Sequence, residues 1–344
     1  MGEWSEAYLI IKILEDGQIN SGDELGKLVP EIFYPITKII DYDNDIEYLI
    51  NHNDNYFTKS VDILDFEGNL IKEDITPYEL SHISSKSLKA IKDGKRTFEV
   101  EILEEFFNNI GIQNLKSPSD SKSDISLEIK DLKLEVNKIL DYSIKSYLGS
   151  KPTILNSSMH TNFEYEIMDI SNEDIIEIET INKRTDSKWI KKRMKFILEN
   201  YNIKFNRVTS DTFDRNLKLV DTNLDIILSE LLLIFYSNEG LSSIIDLHEE
   251  IKLRDPLNIK DKGLLDIFYK KKILDFIKAS AFGMVPSEKW DGEYSVNGGM
   301  LIVLKDGQVI VYHIQYDLKN LNMYLFNQTK LETPSHTRYG MTDI

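Results

Sequence analysis

Asp124 and Lys145 stand twenty-one residues apart, each in a stretch patterned like an extended strand. After Asp124, the residues Ile125, Leu127 and Ile129 alternate with Ser126, Glu128 and Lys130, the period of two of a half-buried strand. Lys145 lies in a second extended run, residues 140–148, which closes in a Gly-Ser-Lys-Pro turn at 149–152. A carboxylate at the mouth of one strand and a lysine on the next suit metal-assisted hydrolysis of a phosphodiester. That reaction needs an activated water, neutralised charge at phosphorus and help for the leaving oxygen. A hard divalent cation held by carboxylates, Mg2+ above all, supplies much of this, and a neighbouring lysine orients the water or stabilises the crowded phosphorus. An ordinary hairpin with solvated charges uses the same residue types. The pair alone leaves both readings open.

Elements able to position the pair surround it. Residues 3–15 predict a helix, with Trp4, Tyr8, Ile11 and Leu14 at helical spacing and Asp16-Gly17 as its stop. Glu3 and Glu6 in its first turns either offset the helix dipole or bring one carboxylate to a metal. A hairpin is expected over 32–50 and a strand pair over 60–71 broken at Gly68-Asn69, followed by helices over 77–92 and 99–110. From 172 to about 282 the pattern reads as helices with polar breaks. There Lys188, Lys191, Lys192 and Lys195 fall on one helix face and Ile190, Met194 and Ile197 on another. With Lys183, Arg184 and Arg193 they form the densest basic patch of the chain, either a solvated face or a helix that tracks phosphates. Residues 224–236 are apolar nearly all round, which predicts a buried helix. Beyond 290 the strand period returns, with two β runs joined at Asp306-Gly307 and a short helix or turn near 318–325. The polar tail after it carries side chains of the kind that read base edges and phosphates.

Composition narrows the class. With 344 residues the chain predicts two subdomains or one enlarged α/β unit. The absence of cysteine excludes disulfides, cysteine-ligated zinc, iron–sulfur clusters and thiol catalysis, and suits a reducing cytoplasm. Acids flank the first apolar run, unlike a signal peptide, and no apolar stretch reaches the roughly 18–20 residues of a membrane span. A soluble, cytoplasmic protein is expected. The net charge of −17 argues against general polyanion binding, so a nucleic-acid enzyme needs a locally basic or metal-loaded cleft. From residue 295 onward four basic residues balance four acids, so the whole excess lies before that point. No GxxxxGKS/T, GxGxxG, HExxH or GxSxG pattern occurs, and the six scattered histidines read as structural.

Several blocks carry a resemblance: GEWSE at 2–6, KSDI at 122–125, SIKSYLGSKPTILNSS at 143–158, then TNF at 161–163. NGGMLIVLKDG at 297–307, YHI at 312–314 and FNQTKLETPS at 326–335 complete the set. Together, in this order, they resemble the HpaII family of type II restriction endonucleases across essentially the whole chain. The resemblance implies a PD-(D/E)XK-type nuclease that uses Mg2+, cuts double-stranded DNA at the palindrome CCGG and is paired with a cognate DNA methyltransferase. By that likeness Asp124 is the aspartate of the PD element, preceded by Ser123 in place of proline, and Lys145 is the lysine of the (D/E)XK element. Ser143 stands where that element has its acid, so a carboxylate must come from elsewhere. Glu164 and Glu166 are the first contenders, and Glu6 is a third. Asn156 and Asn162 are expected to touch DNA near the scissile phosphate, Lys188 and Lys192 to track phosphates, and Lys330, Glu332, Thr333 and Arg338 to contact bases or phosphates. The same family pattern leads one to expect a further strand beyond the last residue here.

The expected fold is mixed α/β: a nuclease core with a mixed sheet flanked by helices, a mainly helical insert and a C-terminal β-hairpin region. Residues 1–170 would carry cleavage, 171–290 the helical subdomain and 291–344 DNA recognition. A palindromic target makes a two-fold homodimer the natural reader. The rival expectations are a catalytically silent, sequence-specific DNA-binding protein of the same fold, and a helical scaffold with no DNA role.

Overall fold

In the computed structural model, residues 2–94, 98–112, 124–132, 134–148, 158–182, 189–237 and 241–332 are described. Helix α1 (Gly2–Asp16) leads into strands β1 (Gln18–Gly22), β2 (Leu28–Asp41), β3 (Ile46–His52), β4 (Thr58–Asp65) and β5 (Leu70–Ile75), then helices α2 (Pro77–Asp93) and α3 (Glu101–Asn108). Next come β6 (Ile125–Asp131), β7 (Val136–Ser146), β8 (Phe163–Ile167), α4 (Asn172–Asn182), α5 (Trp189–Asn200) and β9 (Ile203–Val208). Helices α6 (Asp211–Val220), α7 (Leu224–Ser237), α8 (Ile244–Arg254) and α9 (Leu265–Ala281) precede β10 (Gly299–Val303), β11 (Val309–His313) and α10 (Leu318–Gln328). The chain divides into two compact units, Met1–Pro152 with Ser295–Tyr324, and Thr153–Tyr294 with Leu325–Ile344.

The first unit is built on a nine-stranded sheet in the order β1-β11-β10-β7-β6-β2-β3-β4-β5. Its direction is mixed: β10 runs parallel to β7, and β6 antiparallel to β7. Strand β2 does two jobs along its length. Residues from Leu28 to Pro35 pair with β1, and those from Ile36 onward pair with β6 and β3. Six strands therefore close into a ring, and β7 sits inside it rather than at an edge. Because side chains alternate along a strand, each strand of this ring presents one set of residues to each face. The set Ile125, Leu127, Ile129, Leu140, Tyr142 and Ile144 joins Tyr8, Leu9, Ile11, Leu80, Leu103 and Phe107 of α1, α2 and α3 in one buried core. Helix α2 starts where Thr76 and Glu79 form a reciprocal capping box, with Pro77 as its first residue.

Strands β7 and β11 are also tied across Gly299. The Tyr142 hydroxyl and His313 Nδ1 share a 3.1 Å hydrogen bond, and Tyr34 packs edge-on to the imidazole at 4.2 Å between ring centres. Burial pushes the imidazole down to about 3. Unfolded, it takes up a proton near pH 6.5. Between those two values the unfolded chain binds one more proton than the folded one, so stability is full above about pH 6.5 and falls as pH drops toward 3. This group alone should cost up to about 1.4 kcal/mol per pH unit in that window. Urea midpoints at pH 7, 6 and 5 should decline more steeply for the wild-type chain than for His313→Gln. Parallel declines would show that His313 is not the titrating group.

In the second unit, helices α4–α9 account for most of the chain, and a two-stranded antiparallel ribbon, β8 with β9, lies among them. The helical expectation for 172–282 missed β9, whose alternation (Ile203, Phe205 against Lys204, Asn206) is the strand period in six residues. Its apolar side, Phe205 and Val208, packs with Phe163, Phe213, Leu217 and Trp290. Helix α7 is buried as expected, through Leu224, Ile227, Leu231, Leu233, Ile234 and Phe235. Arg193 corrects the basic-patch reading of α5. It is 8% exposed, on the same helix face as Met194 and Ile197, and burial lowers the guanidinium's affinity for its proton.

Candidate active site

The register of the β6–β7 hairpin sets Ile125 against Tyr142 and Ser126 against Asp141. One step further, Asp124 meets Ser143. The Asp124 backbone N–H donates to Tyr142 O at 3.1 Å, so the residue extends the ladder. Its carboxylate turns back onto β7: Oδ2 accepts from the Ile144 backbone N–H at 2.6 Å and from the Ser143 hydroxyl at 3.3 Å. A carboxylate bonded to a main-chain amide in the middle of a sheet is held in place by the fold itself. Oδ1 accepts nothing from the described residues, although Asp124 is exposed. Lys145 follows Ser143 on the same face of β7 and sits opposite Ile302 of β10. It is half-buried and makes no hydrogen bond or ion pair with another described residue. The structure thus brings Asp124, Ser143 and Lys145 together on one face, with Tyr142 and Ile144 turned into the core.

This face holds a residue that the sequence reading passed over. Asp141 precedes Ser143 and Lys145 by two and four positions, so it shares their side of β7. Ser126 donates to its Oδ1 at 2.6 Å, and its backbone N–H donates to Asn297 Oδ1 at 2.8 Å. Its signal in the sequence is the shared parity of 141, 143 and 145. The (D/E)XK pattern does not use that signal, because it looks for an acid only at the position two before the lysine. Glu128 is also on this face, but its Oε1 already accepts from Thr37 at 2.5 Å and from Asn137 at 2.9 Å.

The other contenders lie on other elements. Glu6 belongs to α1, the helix packed on the Tyr142–Ile144 side of the sheet. Glu164 is on β8 in the second unit, where Arg207 and Asn206 donate to its two oxygens. The Arg207 guanidinium, and then the Asn206 amide, hold its carboxyl below the usual range. Asn206 is the extra residue of a β-bulge, since Glu164 pairs with Arg207 and Tyr165 with Phe205. Glu166 is exposed, opposite Lys204. Among the described residues one triad, His248, Glu249 and Asp266, brings metal-ligand atoms within 4.8 Å of one another. Lys252 bridges its two carboxylates at 2.8 Å each, so an internal cation already fills it.

Asn162 ends a single 3-10 turn, its carbonyl accepting from Thr209 N–H at 3.0 Å. Lys192 is exposed on α5. Lys330 and Glu332 pair with each other at 2.5 Å, beside a bridge between Ser243 and Lys330. Asn156, Lys188, Thr333 and Arg338 lie outside the described residues.

Asp124 offers the hard oxygen donor that Mg2+ takes, and the nearest cationic side chain along the strand, Lys145, is not spent on neutralising it. A carboxylate fixed on a neighbouring strand, with a lysine one residue past its anchor that is uncommitted among the described residues, suits metal-assisted phosphodiester hydrolysis, and comparison gives the chain its class. The model of the HpaII restriction endonuclease family matches residues 1–344, and the chain belongs to that family. It is a site-specific endonuclease, a hydrolase. The type II restriction enzyme HpaII of Haemophilus parainfluenzae is 34% identical over 347 residues, covering 100% of this chain and 92% of that protein. No solved structure matches the chain. No helix among the described residues is long and apolar enough to cross a membrane.

Proposed function

We propose that the chain cuts both strands of a short palindromic duplex, CCGG, in a Mg2+-dependent reaction on a PD-(D/E)XK-type core. The observation that carries this reading is the Asp124 carboxylate, anchored on the Ile144 amide of β7 one residue before Lys145. Asp124 would hold Mg2+ through its free Oδ1, with Ser143 keeping Oδ2 turned toward the strand. Bound there, the cation would lower the pKa of a water and neutralise charge on the phosphate. Lys145, uncommitted to any described partner, would orient the attacking water and meet the charge that builds on the phosphoryl oxygens. Asn162, Lys192, Lys330 and Glu332 would contact DNA, with Glu332 able to accept from a cytosine N4 amino group once released from Lys330. A two-fold homodimer, each subunit cutting one strand, would match the palindrome. The enzyme would work in the cytoplasm beside a DNA methyltransferase that protects the same site.

Plasmid digestion tests this. Purified chain with Mg2+ should yield discrete fragments ending at CCGG, none in EDTA, and none on plasmid methylated at that sequence. Specific duplex binding without cleavage in any divalent metal would instead make the chain a silent DNA-binding relative. Absence of binding even at low salt would remove the DNA role.

A further inference from the structure

We propose that Asp141 supplies the carboxylate that Ser143 lacks, so that Asp124 and Asp141 together seat the divalent cation. This rests on the nuclease reading of the β6–β7 face and deepens it. Asp141 lies opposite Ser126, two residues inward from Asp124 on the adjacent strand. Diagonal cross-strand neighbours on one face stand roughly 7–8 Å apart, within reach of each other's side chains. Two carboxylates with metal–oxygen bonds of about 2.1 Å on each side can close that gap.

Three observations favour Asp141 over the other acids. Its carboxylate is half-satisfied: Ser126 occupies Oδ1, and no described residue donates to Oδ2. Its backbone is fixed at both ends, the N–H to Asn297 Oδ1 and the carbonyl from Gly298 N–H at 2.8 Å, so it is mounted as rigidly as Asp124. Three competing carboxylates already have partners of their own: Glu128 with Thr37 and Asn137, Glu164 with Arg207 and Asn206, and Glu47 with Lys38. The two aspartates also carry opposite anchors. Asp124 Oδ2 is held by the Ile144 amide and Asp141 Oδ1 by Ser126, so each keeps one oxygen to which no described residue donates.

Manganese binding measured on the full chain without DNA, by the loss of free-ion Mn2+ EPR signal, separates the outcomes. Asp141→Asn keeps an acceptor for Ser126 and should weaken Mn2+ binding about tenfold or more, because affinity follows the number of charged ligands. Adding Ser143→Asp to that variant should restore binding, since an acid then stands beside Asp124. A purely structural role for Asp141 predicts no such rescue. If Asp141→Asn fails to fold, Asp141→Ser takes its place with the same expectation. Wild-type Mn2+ affinity in Asp141→Asn, with weakened affinity in Asp124→Asn, overturns this proposal and leaves the nuclease reading intact. Undiminished binding in Asp124→Asn overturns the reading itself.

Discussion

Lys145→Ala is expected to slow cleavage at the target site by on the order of 10²–10³-fold while the folded chain still binds its duplex. The magnitude is that of removing one preorganised donor from a developing charge. The fold should tolerate the change, because Lys145 makes no ion pair or hydrogen bond with another described residue and its loss strands no partner. The strand keeps its pairing, since Ile302 opposite and Tyr147 beyond are untouched. Duplex binding in EDTA should persist, with a salt slope shallower by about one, as expected when a single phosphate-neutralising cation is removed. Lys145→Arg should rescue little, because a planar fork does not reproduce a compact ammonium next to the attacking water. Single-turnover rates against duplex affinity in EDTA make the measurement. A variant that keeps more than a tenth of the wild-type rate would take Lys145 out of the chemistry, and one that loses duplex binding would make it a docking residue.

Much of this site was legible in the residues, and the gaps have physical causes. The alternation after Asp124 predicted β6, which runs Ile125–Asp131, and Asp306-Gly307 predicted the hairpin of β10 and β11. Local period and turn chemistry act over a few residues and leave clear traces. Strand neighbours do not. Nothing near Lys145 says that β10, more than 150 residues later, lies parallel beside it, or that β2 closes the ring by pairing with β1. The Ile144 amide bond to Asp124 depends on the hairpin register, which no pair of residues announces. Two further features lie within reach of local spacing. Arg193 follows Ile190 by three and precedes Ile197 by four, so its apolar side was visible in the helical spacing. Asp141 was visible in the strand spacing.

Gly299→Ala should be the most damaging small substitution in the first unit. Gly299 lies in β10 between Tyr142 of β7 and His313 of β11, and its φ is +137°. A Cβ there would stand 2.0 Å from the Tyr312 carbonyl oxygen and 3.1 Å from that carbonyl carbon. Both are backbone atoms of the adjacent strand, so no side-chain rotation relieves the clash. Two strands must part, and with them the Tyr142–His313 bond at the base of the residues before Ser143. A loss of more than about 4 kcal/mol is expected, in the exceptional range for one substitution. Against a total of roughly 5–15 kcal/mol, that leaves little folded chain. Gly68→Ala is the matched control: its φ is +85° but nothing lies within 4 Å of the added carbon. That change should cost only the left-handed backbone penalty, about 1–2 kcal/mol. Denaturant midpoints for the two variants should differ widely. Equal midpoints would mean that β10 and β11 do not pack as closely as their register requires, and the mounting of β7 would have to be sought elsewhere. The comparison also separates stability from chemistry, because Gly299→Ala should lose cleavage and fold together, whereas Lys145→Ala should lose cleavage alone.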